Sequence, residues 1–118
     1  MTRRRRRAWS MLPLTVAASA CAARGADDAS VAMTAALRFE PAAVEIPVGG
    51  RVIWQNTGVT QHTATAIGTD REPTGAFDSG VVVGTGTYAH TFDEAGTFTY
   101  TCTIHGSEMV GLVTVVAG

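Results

Sequence analysis

The chain has 118 residues: nine arginines and no lysine against ten acidic residues, with 13 glycines, three histidines and two cysteines. That length fits one domain near the small end of what buries a core unaided. Arg3 to Arg7 hold five of the arginines, so from Cys21 onward only Arg24, Arg38, Arg51 and Arg71 oppose all ten acids; such an acidic remainder argues against a nucleic-acid partner and for a basic one.

The start, MTRRRRRAWSMLPLTVAASACAAR, reads as an export signal over residues 1–20: a basic head, an uncharged stretch from Ala8 to Ala20, then small residues. The stretch is too short to span a membrane as an ordinary helix. A twin-arginine reading fits the following Ala8-Trp9-Ser10 poorly. Ala18-Ser19-Ala20 satisfies a small-x-small cleavage rule. Ala-Ser-Ala-Cys also resembles the bacterial lipoprotein box, in which a lipid on Cys21 would tether the domain to a membrane face. Both fates of Cys21 stay open, and the destination is extracytoplasmic in either case. Residues 21–30 read as a small, polar linker, which leaves Cys102 as the sole thiol of the domain at 31–118. A lone thiol in an oxidising compartment is a liability unless something occupies it, and a metal is the natural occupant.

From Val31 the texture changes to short runs rich in Val, Thr, Ile and aromatics, broken by Gly, Pro and Asn. These patterns predict strands near 31–38, 43–48, 51–56, 61–67, 76–80, 86–92, 96–103 and 110–116. Turn signals lie at 47–50, 56–58 and 94–96. In RVIWQN, Val52 and Trp54 share one face; in GTFTYTC, Phe98, Tyr100 and Cys102 do. Strands so short and closely spaced imply an all-β antiparallel sandwich of seven to eight strands. The expected core is Phe39, Ile46, Val52, Trp54, Phe92, Phe98, Val113 and Val115, and residues 68–75 are expected to form a loop or short helix.

The chemistry concentrates in YTCTIHGSEMVG at 100–111, where Cys102, His105 and Met109 offer a thiolate, an imidazole and a thioether. Two imidazoles, a thiolate and a weakly held thioether make the donor set of a blue-copper site. The second imidazole is His62 or His90. His62 stands at the entrance to a strand, after the turn at 56–58, where it can face the loop following Cys102. His90 stands in the body of a strand, a place typical of surface or packing residues, so His62 is favoured. Glu108 offers an oxygen donor as an alternative to Met109. Zinc fits less well, since thioether is a poor zinc ligand. A thiol hydrolase lacks an orienting third group beside Cys102 and His105, and three histidines are too few for a multicopper oxidase.

The ordered run of motifs resembles a small cupredoxin of the plastocyanin, amicyanin and pseudoazurin type, over roughly Leu37 to Val116. RFEPAAVEIPVGGRVIWQNTG is similar to that family's entry segment, QHTAT to its first-histidine strand, and FDSGVVVGTGTYAHTFDEAGTFTYTCTIH to the run that ends in its Cys-x-x-His. The resemblance implies a Greek-key β-sandwich holding one type 1 copper, with His62, Cys102 and His105 equatorial and Met109 axial. It implies a monomeric one-electron carrier between redox proteins and no enzyme; a copper module for storage or delivery is the alternative. It also implies an apolar patch around the second histidine, for which Val59, Ile104 and Gly106 are candidates. Two features depart from the family. Three residues separate His105 from Met109, where plastocyanin-like proteins commonly have four and amicyanin-like ones two. Thr63 follows the first histidine, where asparagine is frequent.

Overall fold

The computed structural model describes residues 27–117. The export signal, Cys21 and most of the linker lie outside the described residues. Nine strands follow one another: β1 (Asp28–Met33), β2 (Phe39–Glu40), β3 (Ala43–Pro47), β4 (Arg51–Asn56), β5 (Thr65–Ile67), β6 (Pro73–Asp78), β7 (Thr87–Thr91), β8 (Gly96–Cys102) and β9 (Gly106–Val116). They form two sheets, one ordered β2-β1-β4-β7 and the other β3-β9-β8-β5-β6. The chain crosses repeatedly between the two, so each layer contains early and late segments.

The all-β sandwich agrees with the alternating sequence, and several details differ from it. The sheets are mixed: β1 runs parallel to β4, and β3 parallel to β9. A strand that leaves for the opposite layer and returns can lie parallel to its new neighbour without a hairpin. The expected strand 31–38 is broken in two, because residues 34–38 form a turn. There the Leu37 amide donates to the Thr34 carbonyl at 3.0 Å and Leu37 itself has φ 64°. The segment read as linker gives its last three residues to β1, where Asp28 pairs in register with Arg51 and their side chains meet at 3.0 Å. That exposed pair adds at most about 1 kcal/mol, so backbone pairing along β4 is what holds the strand. The expected loop at 68–75 ends in β6, whose first three residues lie within it.

Alternation sorts the side chains as anticipated. On β4, Val52 and Trp54 are fully buried while Arg51 and Gln55 are exposed. Between the sheets, the Trp54 ring stands 5.3 Å from Tyr100 and 5.2 Å from Phe77, and Phe39 packs edge-on against Tyr100 at 4.5 Å. Of the expected core only Phe98 falls short: it is half-buried, packed on Phe92 at 5.2 Å near the start of β8. Met33, Phe77, Tyr100 and Met109 join the core. Burial pushes the Tyr100 phenol up to about 12, with the Trp54 indole acting in the opposite direction, so this hydroxyl stays neutral at any physiological pH.

Candidate metal centre

Two chain segments build the site. The first is 62–67, buried at every position. It begins with His62, whose backbone exchanges hydrogen bonds with Val82: the His62 amide donates at 3.2 Å and its carbonyl accepts from Val82 at 2.8 Å. This small bridge pins the imidazole at the sheet's end, before β5 starts. The second segment is the hairpin from β8 to β9. Its inward face carries Phe98, Tyr100 and Cys102, and β9 continues that face with Val113, Gly111 and Met109.

The hairpin register changes at the site itself. Thr101 pairs with Val110, but Cys102 pairs with Gly106. An unbroken ladder would have set Cys102 opposite Met109; instead residues 107–109 form an extra stretch on the β9 side. The spacer that departs from familiar lengths is thus a bulge. It makes β9 longer than the expected 110–116 and places Met109, fully buried, inside the strand.

His62, Cys102 and His105 come together, with one donor atom from each lying within 4.8 Å of the others. The Cys102 Sγ is 3.3 Å from Nδ1 of His105 and 3.9 Å from Nδ1 of His62. A single ion at ordinary imidazole and thiolate bond lengths, about 2.0 and 2.3 Å, would hold nitrogen and sulfur roughly 3.6 Å apart. The two observed separations bracket that figure, so this donor set fits a small metal ion. His62 and Cys102 are fully buried, while His105 is half-buried. The His62 pKa is lowered, first by burial, then by repulsion from a charged His105, with the Thr34 backbone carbonyl opposing. A neutral imidazole is the form that binds metal. His90 lies elsewhere, half-buried on β7 between Phe77 at 5.3 Å and Phe92 at 4.7 Å.

Around the donors, hydroxyls and amides fix the loops. The Thr63 amide points at the Cys102 sulfur at 3.4 Å. The Thr63 hydroxyl accepts from the Thr103 amide at 2.9 Å, tying the His62 segment to the loop after Cys102. It also contacts Thr65 Oγ1 at 3.0 Å, and the Thr65 hydroxyl donates to Asp78 at 3.1 Å. The buried Asn56 amide donates to the carbonyls of Thr60 at 2.7 Å and Val82 at 3.0 Å, and its Oδ1 accepts from Gly58 at 3.1 Å. One side chain thereby joins the two loops that flank His62. The sequence marked Asn56 only as a turn signal; its position on the inward parity of β4, after Val52 and Trp54, was the signal that it would be buried.

Comparison with known proteins agrees with this geometry. Residues 26–116 match the family of copper binding proteins, plastocyanin/azurin. A purple cupredoxin from Nitrosopumilus maritimus is 30% identical, with a TM-score of 0.68, covering 75% of this chain and 99% of that one. Amicyanin from Paracoccus versutus is 29% identical, with a TM-score of 0.60, over 76% of this chain and 82% of its own. A copper-containing nitrite reductase from Thermus scotoductus SA-01 matches at 30% identity and a TM-score of 0.63, but only 22% of that chain is covered. With the sandwich, the paired imidazoles and the buried thiol on one end of it, the chain belongs to the plastocyanin/azurin family of copper-binding proteins, the cupredoxins.

Proposed function

We propose that the protein is a one-electron carrier that holds a single copper in a type 1 site, with His62, Cys102 and His105 as the strong ligands and Met109 as a weak fourth. The observation that carries this reading is the approach of both Nδ1 atoms to one buried sulfur, at 3.3 and 3.9 Å. Bound copper supplies a Cu(II)/Cu(I) couple that needs no proton or substrate. The protein's residues supply the rest. Cys102 serves as a thiolate ligand, and its sulfur accepts from the Thr63 amide, which withdraws electron density and raises the potential. His62 and Cys102, fixed by backbone pairing and by the Thr63–Thr103 bond, cannot rearrange freely, so reorganisation on electron transfer stays small. His105 is the least buried of the three. Ile104 beside it is 45% exposed, and Val59 on the neighbouring loop is 94% exposed, which supports an apolar landing area for a redox partner.

The reading extends to an exported protein, on the strength of residues 1–20, with Cys21 as the lipidation candidate. It further extends to a monomer that meets its partners transiently and performs no catalysis of its own. The matched portion of the nitrite reductase is about one fifth of that enzyme, which does not carry its activity over.

The test is copper titration of the domain, followed by optical and EPR spectra of the wild type, Cys102→Ser, His62→Ala and His90→Ala. An intense visible thiolate-to-copper band is expected in the wild type and in His90→Ala, and its loss in the other two. A colourless Cu(II) complex of the wild type would sink the type 1 assignment. Reversible one-electron cycling with copper retained in both states separates a carrier from a delivery module, which would release Cu(I) to an acceptor. Mass analysis of the mature N-terminus from fractionated cells decides the export reading and the fate of Cys21.

A further inference from the structure

One hydroxyl bonds two carbonyls of the register break beside the metal centre. Thr101 precedes Cys102 on β8, and its side chain points to the opposite face of the sheet. A threonine on the outer face of a strand is ordinarily exposed, as Thr97 is four residues earlier, yet Thr101 is 7% exposed. It is flanked by the buried Thr65 on β5 and by the bulge, into which its hydroxyl reaches. The Thr101 hydroxyl lies 3.0 Å from the carbonyl of Gly106 and 2.9 Å from the carbonyl of Met109. It has one proton to share between two acceptors that bracket residues 107 and 108. Gly106 directly follows His105 and takes a left-handed φ of 66°, so the chain turns sharply there before entering the extra stretch.

We infer that Thr101 is a positioning residue for the copper site: its hydroxyl sets the closure of the 107–109 bulge and thereby the placement of Met109 relative to Cys102. This deepens the proposed function and rests on its reading of Met109 as the fourth ligand. A thioether at the weak axial position is sensitive to small displacements, because the bond is long and contributes little to hold its own geometry. Its position must then come from the backbone, and here the backbone of Met109 is bonded directly to Thr101. The same hydroxyl anchors Gly106, so it couples the segment carrying His105 to the residue that carries the thioether. A three-residue spacer gains through this clamp a fixed length that its sequence, Gly-Ser-Glu, would not impose.

The test compares copper-loaded Thr101→Val, Thr101→Ser and Met109→Leu with the wild type. Three properties are read: the intensity ratio of the visible thiolate-to-copper bands, the copper hyperfine splitting in EPR, and the rate of copper release to a chelator. Thr101→Val is expected to shift the band ratio and the hyperfine splitting, and to speed release about fivefold, the loss of one net hydrogen bond. Thr101→Ser should restore all three. In the Met109→Leu background, Thr101→Val should leave the band ratio where Met109→Leu alone puts it. If Thr101→Val lowers only the unfolding temperature and leaves both spectra at wild-type values, the hydroxyl is merely structural and the inference is overturned while Met109 stands. If Met109→Leu itself changes neither spectrum, the ligand reading falls and takes this inference with it. Thr101→Ala gives the same comparison should valine fail to fold in the clamp.

Discussion

The ring of Tyr100 lies directly on the backbone of Gly111, its partner across β8 and β9, in the space that a side chain on Gly111 would occupy. Cys102 stands two residues after Tyr100 on one strand, and Met109 two residues before Gly111 on the other. A β-carbon at 111 would meet the phenol ring rather than the end of a flexible chain. Gly111→Ala should therefore destabilise the apoprotein by about 1–3 kcal/mol or more, the usual cost of overpacking a filled core. The strain should also reach the site, broadening the copper EPR signal. Urea unfolding of the apoprotein and EPR of the loaded form check the two parts; an alanine variant with wild-type stability would show that Tyr100 swings aside freely.

The Thr63 hydroxyl ties the two ligand segments together, accepting from the Thr103 amide at 2.9 Å and contacting Thr65 as well. Thr63→Val keeps the shape and removes the acceptor. The part-buried Thr103 N–H is then left without that partner, at a cost of about 1–3 kcal/mol. Thr63→Ser should recover most of the loss. Thermal unfolding of the apoproteins measures the effect, and equal midpoints for all three proteins would mean that water replaces the hydroxyl at no cost.

Much of this was legible in the sequence, because it depends on the order of donors and the parity of strands. Cys102, His105 and Met109 sit in one short run, and His62 differs from His90 in standing at a strand entrance rather than in a strand's body. The burial of Val52, Trp54, Tyr100 and Cys102 follows from period-two alternation. What could not be read depends on partners distant in the chain. The parallel pairing of β1 with β4 needs the sheet crossing, not the local pattern. The burial of Thr101 needs its neighbours on β5 and in the bulge, and alternation alone would have left it outside. Asn56 looks like turn chemistry until the loops at Thr60 and Val82 close around its amide.

His90 offers a pH-dependent signature distinct from the site. Its pKa is lowered by burial between Phe77 and Phe92, with Asp93 acting in the opposite direction. Below the ordinary value of 6.5 the unfolded chain takes up a proton before the folded one does, so stability is present above that pH and falls as pH drops toward the folded pKa. In the copper-loaded protein, where His62 and His105 are held by metal in our reading, His90 is the remaining histidine. Its replacement by Gln should flatten the decline in unfolding midpoint between about pH 7 and pH 5. Parallel curves for His90→Gln and wild type would assign the acid sensitivity to other groups.

Val59 and Ile104 test the proposed electron port. Both are exposed apolar side chains, Val59 on the loop that Asn56 fastens beside His62 and Ile104 next to His105. Apolar surface at an electron port allows close approach without stripping water from charges, and two copies of the same protein can meet there. A charge on each copy would repel at the moment of contact. Val59→Lys and Ile104→Lys should therefore each slow electron self-exchange by about tenfold or more at low salt, with part of the rate returning as salt screens the repulsion. Surface changes of this kind leave stability within about 0.5 kcal/mol, so the visible spectrum and unfolding midpoint serve as controls. NMR line broadening in mixtures of oxidised and reduced protein measures the exchange. A rate unaffected by lysine at both positions would place the exit away from the His105 edge, and a loss without salt dependence would point to altered packing of the loops rather than charge.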